Sequence, residues 1–280
     1  MHNKVLGIIL INYNSFDELQ IVVSKLLRTN NIDNFDIIIV DNNSTGKESL
    51  ELSFSNMANV KLILNDTNKG FAGGVNSGLA YSMKYYQYFL VMNIDIDFND
   101  FLIDKVINKI NLNNFDIAGC KIYDINKEKL LFNGGFLTSP NILGKHYIKE
   151  NNFKKNLNFI TGCFMLINKR IFDKIGFFDD YYFMYLEDTD FCYRANISGA
   201  KFFLFDDIEI FHEQSKIAKK SFNIKNNQEG DIPPYIIYFY FRNRLYINHK
   251  HLSSLKYYIA QLITLSKISK HFLFYFVAYK

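Results

Sequence analysis

The chain has 280 residues, 49% of them hydrophobic, with 28 Phe, 19 Tyr and no Trp. That is enough apolar mass for one large core, or one core and a small appendage, and it excludes a disordered segment. The net charge of +4 is unevenly spread: no Asp or Glu follows Asp231, whereas residues 232–280 carry seven Lys and Arg, so a basic tail follows a net-negative body. Cys120, Cys163 and Cys192 are too far apart for a CxxC site or a disulfide framework and read as buried thiols in a reducing cytoplasm. No nucleic-acid partner is expected.

The N-terminus runs straight into VLGIILI without a basic stretch or a small-residue cleavage site, so no export signal is expected. Four continuous apolar runs follow one another in the first hundred residues: VLGIILI (5–11), FDIIIV (35–40), VKLIL (60–64) and YFLVM (88–92). Runs without polar alternation suit strands covered on both faces, and helical patterns between them make this an α/β parallel sheet. Ser15 with Glu18 three residues later predicts a capping box opening a helix to about Arg28. From about 115 to 170 shorter strands take over (DIAGCKIY, a Gly134–Gly135 turn, FITGCFMLIN), continuing the sheet in mixed form. A helix over EDTDFCYRANIS, closed by Gly199, comes next. Residues 1–220 are thus expected to form the main unit, in halves of about 1–110 and 111–220. A loop or linker over 221–234 leads to two helices within 235–280, broken near His251–Ser253.

In open parallel sheets ligands sit beyond the carboxyl ends of the strands. The residues there are polar in every case: Asn12-Tyr13-Asn14, Asp41-Asn42-Asn43-Ser44, Asn65 through Asn76, and Asn93-Ile94-Asp95-Ile96-Asp97. In an extended segment residues two apart point the same way, so Asn93, Asp95 and Asp97 can present oxygens to one divalent cation, Mg2+ or Mn2+. The loop NDTNKGFAGGVNSG leads into a helix and reads either as a phosphate cradle or as a turn packing that helix closely on the sheet. Glu187 and Asp188 open a helix and offer a general base, whereas Asp190 has Arg194 at i+4 as an ion-pair partner. His212 closes an apolar segment and spacing alone leaves its role open.

Seven landmarks in order, IILINYN, IIVDNNST, NKGFAGGVNSG, FLVMNIDI, TGCFMLINK, GFFDDYYFMYLEDTDFCYRA and IFHEQS, resemble the family 2 glycosyltransferases of the GT-A fold, over roughly residues 4–245. Within that family the rhamnosyltransferase- and galactofuranosyltransferase-like branch is the most similar. The resemblance implies a mostly parallel mixed sheet flanked by helices and inverting transfer from a UDP- or dTDP-linked sugar to a saccharide or lipid-linked saccharide. It points to a deoxyhexose such as rhamnose and to assembly of surface polysaccharide. It implies that Asp41, Asn43 and the Asn12–Asn14 loop hold the nucleoside, and that Asn68, Gly70, Gly73 and Asn76 line the nucleotide pocket beside Asn93. It implies Asp95 and His212 as metal ligands, Asp188 as base and Glu187 as its neighbour, and it leaves Asp97 in question because Asn93-Ile94-Asp95 aligns with the family's NPD motif. A nucleotidyltransferase of related architecture and an inactive, transferase-like binding subunit are the competing readings.

In the tail, YYIAQLITLSKISKHFLFYFVAY is interrupted by Lys267, Lys270 and His271 before it reaches the roughly 20 apolar residues of a membrane span. Its basic and aromatic composition suits a helix lying on anionic lipid at the inner face of the cytoplasmic membrane. Packing of 235–280 on the main unit, or on a second copy of the chain, is the alternative.

Overall fold

The computed structural model describes residues 4–149, 156–212 and 234–278. The four apolar runs become β1 (Leu6–Asn12), β2 (Phe35–Asp41), β3 (Val60–Leu64) and β4 (Tyr88–Met92). They lie in the order β3-β2-β1-β4, all parallel, so their carboxyl ends form one edge. Between them run α1 (Phe16–Leu26), α2 (Lys47–Phe54) and α3 (Gly70–Ser82). The apolar face of α1 is Leu19, Val22, Val23 and Leu26, spaced at helical intervals and almost fully buried.

The second half continues the sheet. After β5 (Ile96–Phe98) and α4 (Leu102–Leu112) come β6 (Ile117–Asp124), β7 (Leu130–Phe132) and a separate hairpin of β8 (Gly135–Leu137) and β9 (Gly144–His146). β10 (Phe164–Asn168) then inserts antiparallel between β4 and β6. It leads through α5 (Lys169–Ile175) and α6 (Glu187–Ile197) to β11 (Phe202–His212), which runs parallel to β6 and carries β5 on its outer side. The mixed sheet expected from the sequence is therefore present. Gly199, at φ 78°, closes α6 as anticipated.

Two local expectations need correction. Ser15 occupies the cap position of α1, but its hydroxyl donates to the Tyr13 carbonyl and makes no cap bond, and the helix ends at Leu26. Cys120 and Cys192 are buried, whereas Cys163 is only partly so. Of the expected 221–234 linker, residues 221–233 lie outside the described residues.

The tail forms α7 (Pro234–His251) and α8 (Ser254–Ala278), breaking where the sequence suggested. α7 packs on the main unit: Ile247 is buried with Ile142 and Tyr182, and the Asn248 amide bonds Asn141. The contact is electrostatic as well. Asp190, fully buried on α6, receives Arg194 at 2.7 Å, Lys250 at 2.9 Å, His251 at 2.6 Å and the Tyr182 hydroxyl at 3.2 Å. Burial opposes its ionisation, but the His251 hydrogen bond and the charges of Arg194 and Lys250 outweigh it and hold the carboxyl below the usual range. Among the described residues no helix is long and apolar enough to cross a membrane.

Removing Asp190 strands the cations Arg194 and Lys250 and deprives His251 of its hydrogen-bond partner, so Asp190→Ala should lose about 3–5 kcal/mol in urea unfolding. Because the folded pKa is depressed, this stabilisation is present above the unfolded value near about 4 and fades as pH falls below it. The variant's stability should accordingly decline less steeply than that of the natural protein on acidification.

Candidate active site

The strand-end loops are tied to one another. The Asn12 amide donates across the β1–β2 ladder to Asp41 at 2.7 Å and to the Ser44 hydroxyl at 3.1 Å, and Asp41 also accepts the Ser44 amide at 2.8 Å. The Asn42 amide reaches the Gly70 carbonyl, Asn65 donates to Asn42, and Ser77 donates to Asn65. Asp41 is thus fully buried and saturated by its own loops. It ties the strand-end loops together from behind; the groups that face outward are Tyr13, Asn14 and Asn43, all exposed, with Asn14 and Asn43 in the left-handed region. Buried Asn12 Oδ1 has no partner.

The glycine-rich loop behaves as the packing turn rather than as an open phosphate cradle. Gly70, at φ 69°, starts α3, and a Cβ there would collide with the Phe183 backbone. The amides of Phe71 and Ala72, the first-turn donors an anion would use, both point at the Phe183 carbonyl, at 2.6 and 3.4 Å. A Cβ at Gly78 would meet Ile9 and Val40 on the sheet, and one at buried Gly73 would meet the Lys69 side chain. Asn68 accepts the Gly70 amide at 2.9 Å, which turns the chain into the helix. Asn76, expected in the pocket, is bonded at both ends to the backbone of Phe178, at 2.7 and 3.1 Å, and joins the two halves instead.

Beyond β4 the chain bends at Ile94–Asp95 before β5, so the same-side spacing of Asn93, Asp95 and Asp97 does not survive. Pairing of Ile96 with His212 in the β5–β11 ladder brings Asp95 Oδ1 within 3.2 Å of His212 Nε2. Asp97 is corrected: its carboxylate pairs with Lys25 of α1 and accepts the Phe98 amide, and it stands apart from the Asp95–His212 pair. The Lys25 bonds and charge hold it below the usual carboxylate range despite partial burial. Among the described residues no group of three or more His, Cys, Asp and Glu comes together to hold a metal. One carboxylate and one imidazole do fit a borderline divalent cation that takes its remaining ligands from water and substrate phosphates.

Asp188 approaches from the second half. Its Oδ2 accepts the Gly162 amide at 3.0 Å and its Oδ1 the Thr189 amide at 2.6 Å. The neighbouring Cys163 carbonyl accepts the Asn93 amide at 3.0 Å. The turn entering β10 therefore holds Asn93, at the end of β4, and the carboxylate Asp188 through adjacent residues. Burial foremost, and then the charges of both Asp95 and Asp188, push the Cys163 thiol well above its ordinary pKa.

Burial raises the Asp188 carboxyl as well, against the lowering effect of the Gly162 and Thr189 amides. Burial and the charge of Asp188 push Glu187 well above the ordinary range, and its buried Oε2 has no partner. Burial thus pushes both carboxyls toward their neutral forms, and the two titrate as a coupled pair. His146, which the sequence reading did not single out, stacks on Phe159 with its Nδ1 against the Leu131 carbonyl at 3.2 Å. Desolvation lowers its pKa, and the charge of Asp188 partly offsets that. The loop before Glu187 is strained: Phe183, Tyr185 and Leu186 all have φ between 62° and 68°, at about 1–3 kcal/mol each for residues other than glycine.

A model of glycosyl transferase family 2 matches residues 7–176, more than half of the chain. The chain belongs to glycosyl transferase family 2. This family 2 glycosyltransferase is 28% identical over 198 residues to a low-salt glycan biosynthesis hexosyltransferase, Agl10, of Haloferax volcanii, covering 68% of this chain and 61% of the relative. The match thus spans about three fifths of that relative's length. Among solved structures it is similar to S. aureus TarS residues 1–349 in complex with UDP (TM-score 0.58, 15% identity, 96% of this chain and 72% of that one). It is also similar to GalNAc-T7 with UDP, GalNAc and Mn2+ (TM-score 0.63, 12% identity, 89% and 48%). These likenesses establish the GT-A fold.

In this family 2 glycosyltransferase, replacing Asp188 by Asn should abolish turnover, by about a thousandfold or more, if it takes a proton in the reaction. Glu187→Gln imitates the protonated form of Glu187, the form that burial favours, and should stay within about tenfold of the natural rate. The acidic limb of kcat should lie above the ordinary carboxylate range, with activity rising as Asp188 ionises, and should persist in Glu187→Gln. A steady-state pH profile of the natural protein and of Glu187→Gln checks this.

Proposed function

We propose that the protein is an inverting, metal-dependent hexosyltransferase that moves a sugar from a nucleoside diphosphate to a saccharide or lipid-linked saccharide acceptor. The observation that carries this reading is the β10 entry turn, which holds Asn93 through Cys163 and Asp188 through Gly162. A single displacement needs its base and its leaving-group stabiliser on opposite sides of one carbon, and bonds from this one turn to Asp188 and to the loop that carries Asp95 support that arrangement. Asp188 accepts the proton of the acceptor hydroxyl as that oxygen bonds to the anomeric carbon. The bond from that carbon to the diphosphate breaks, and the nucleoside diphosphate departs with the electron pair. Asp95 and His212 are the residues that would hold Mg2+ or Mn2+, which when bound neutralises charge on the diphosphate. Glu187, beside Asp188, offers its unpartnered Oε2 to an acceptor hydroxyl.

UDP or dTDP is the proposed nucleotide, with Tyr13, Asn14 and Asn43 facing it and Asn12 Oδ1 offering an acceptor for a pyrimidine N–H. The hexosyltransferase relative and the UDP complexes of the TarS and GalNAc-T7 structures support a hexose donor on a nucleoside diphosphate. Resemblance to the rhamnosyltransferase-like branch makes a deoxyhexose such as rhamnose the first to test, for a role in surface polysaccharide assembly. Family membership sets aside the nucleotidyltransferase reading.

We also propose that α8 rests on the inner face of the cytoplasmic membrane. Leu255, Tyr258, Ile259 and Leu262 form an exposed apolar stripe at helical spacing, accompanied by Lys256 and Lys267 with no acidic residue on the helix.

A panel of UDP- and dTDP-sugars should contain one that raises Tm in the presence of Mn2+, since a bound donor stabilises the fold by mass action. An Asp95→Ala, His212→Ala double variant should lose the Mn2+-dependent part of that shift. A Mn2+ response retained in it would refute the cation site. Co-sedimentation with liposomes should require anionic lipid and weaken in Leu262→Asp; recovery in the supernatant under both lipid conditions would refute the membrane contact.

A further inference from the structure

The loop that delivers Glu187 and Asp188 is held in its left-handed conformation from α7. Asn243 is fully buried, and its side-chain amide donates to three successive parts of that loop: the carbonyls of Tyr182 at 3.0 Å, Met184 at 2.8 Å and Tyr185 at 2.7 Å. Its own Oδ1 is fixed by Arg242, whose Nε and Nη2 donate to it at 2.9 and 2.7 Å. Arg242 also donates to the carbonyls of Tyr181 and Tyr182 and lies over the Tyr181 ring at 4.8 Å. Phe239, one turn earlier on α7, stacks on Phe183 with ring centroids 4.9 Å apart. On its other side the same loop is gripped by α3, through the Phe71 and Ala72 amides on the Phe183 carbonyl.

Left-handed residues turn their carbonyls out of any helical ladder, and buried carbonyls left without a donor are costly. The Asn243 amide, sharing its two N–H groups among the carbonyls of Tyr182, Met184 and left-handed Tyr185, over-determines the loop, and Leu186, the last left-handed residue, is the cap of the helix that begins with Glu187 and Asp188. We infer that Asn243, oriented by Arg242, is a positioning residue for the base Asp188, so that the C-terminal helix completes the active site from behind. This rests on the reading of Asp188 as base.

The test uses the full chain and the nucleotide sugar giving the largest Mn2+-dependent thermal shift in the donor panel, with its hydrolysis followed at steady state. Asn243→Ala should lower kcat by about ten- to a hundredfold, the effect of misplacing a reacting group by about an ångström, with the donor KM within about twofold. Its acidic limb should move toward the ordinary carboxylate range as water reaches the Glu187–Asp188 pair. A merely structural role would reduce activity only in proportion to the folded protein lost and leave the limb in place, and that result would overturn the inference. Should Asn243→Ala fail to fold, Arg242→Met keeps the amide but removes the bonds that orient it. It should lose at least about threefold in kcat with the same movement of the limb; natural kcat there also overturns the inference. Asp188→Asn run in parallel separates the two readings. If it is inactive while Asn243→Ala is fully active, only the positioning role fails; if it is active, the base assignment fails and the positioning role with it.

Discussion

The antiparallel insertion of β10 beside β4 is the constraint on which the site depends. In a purely parallel sheet every strand enters from the edge opposite the ligand, so only loops leaving strands can reach it. β10 enters from the ligand edge: Phe164 pairs with Met92, the last residue of β4. Its preceding turn, Thr161 to Cys163, is thereby placed among the strand-end loops, where its backbone reaches both Asn93 and Asp188. Parallel pairing of β11 with β6 and antiparallel pairing with β5 then bring His212 to Asp95. Three strand pairings thus assemble residues from positions 93 to 212 without any loop having to be long.

The electrostatics of the second half follow from burial unevenly compensated. Asp190 and Asp188 lie two residues apart on one helix and have opposite fates. Asp190 meets two arginine and lysine cations and His251, and stays charged under conditions where most carboxylates would protonate. Asp188 meets only neutral donors, two backbone amides and the Thr189 hydroxyl, so burial dominates and its pKa rises. Glu187, whose Oε2 has no partner, is pushed well above its ordinary range by burial and by the charge of Asp188. A group held in its charged form serves as an anchor, and one whose pKa burial has raised is the candidate for chemistry.

Much of this was legible in the sequence, and the boundary between what was and was not is physical. Continuous apolar runs marked β1 to β4 within a residue or two, because a strand buried on both faces has no freedom to be polar. The polar strand ends, the Asp190–Arg194 pair and the helix break near His251 were equally local. What periodicity could not foresee were bonds between distant positions. Asn76 reads as a pocket residue until its amide is seen clamped on Phe178, 102 positions away. Asp97 shares the spacing of a metal ligand with Asp95, but a bend turns it to Lys25. The glycines of the NKGFAGG loop read equally well as cradle or packing turn, and only the Phe183 carbonyl decides between them. Asn243 sits within a helix whose aromatic neighbours give no hint of a buried amide.

The four-partner burial of Asp190 has a consequence for how such proteins can be recombined. A helix carrying a deeply buried carboxylate whose counter-ions come half from itself and half from α7 cannot be transplanted alone, since either fragment would carry uncompensated charge into its new host. Chimeras built to exchange acceptor preference therefore need their crossover outside the stretch from Asp179 to His251, so that α6 and α7 travel as one inherited block.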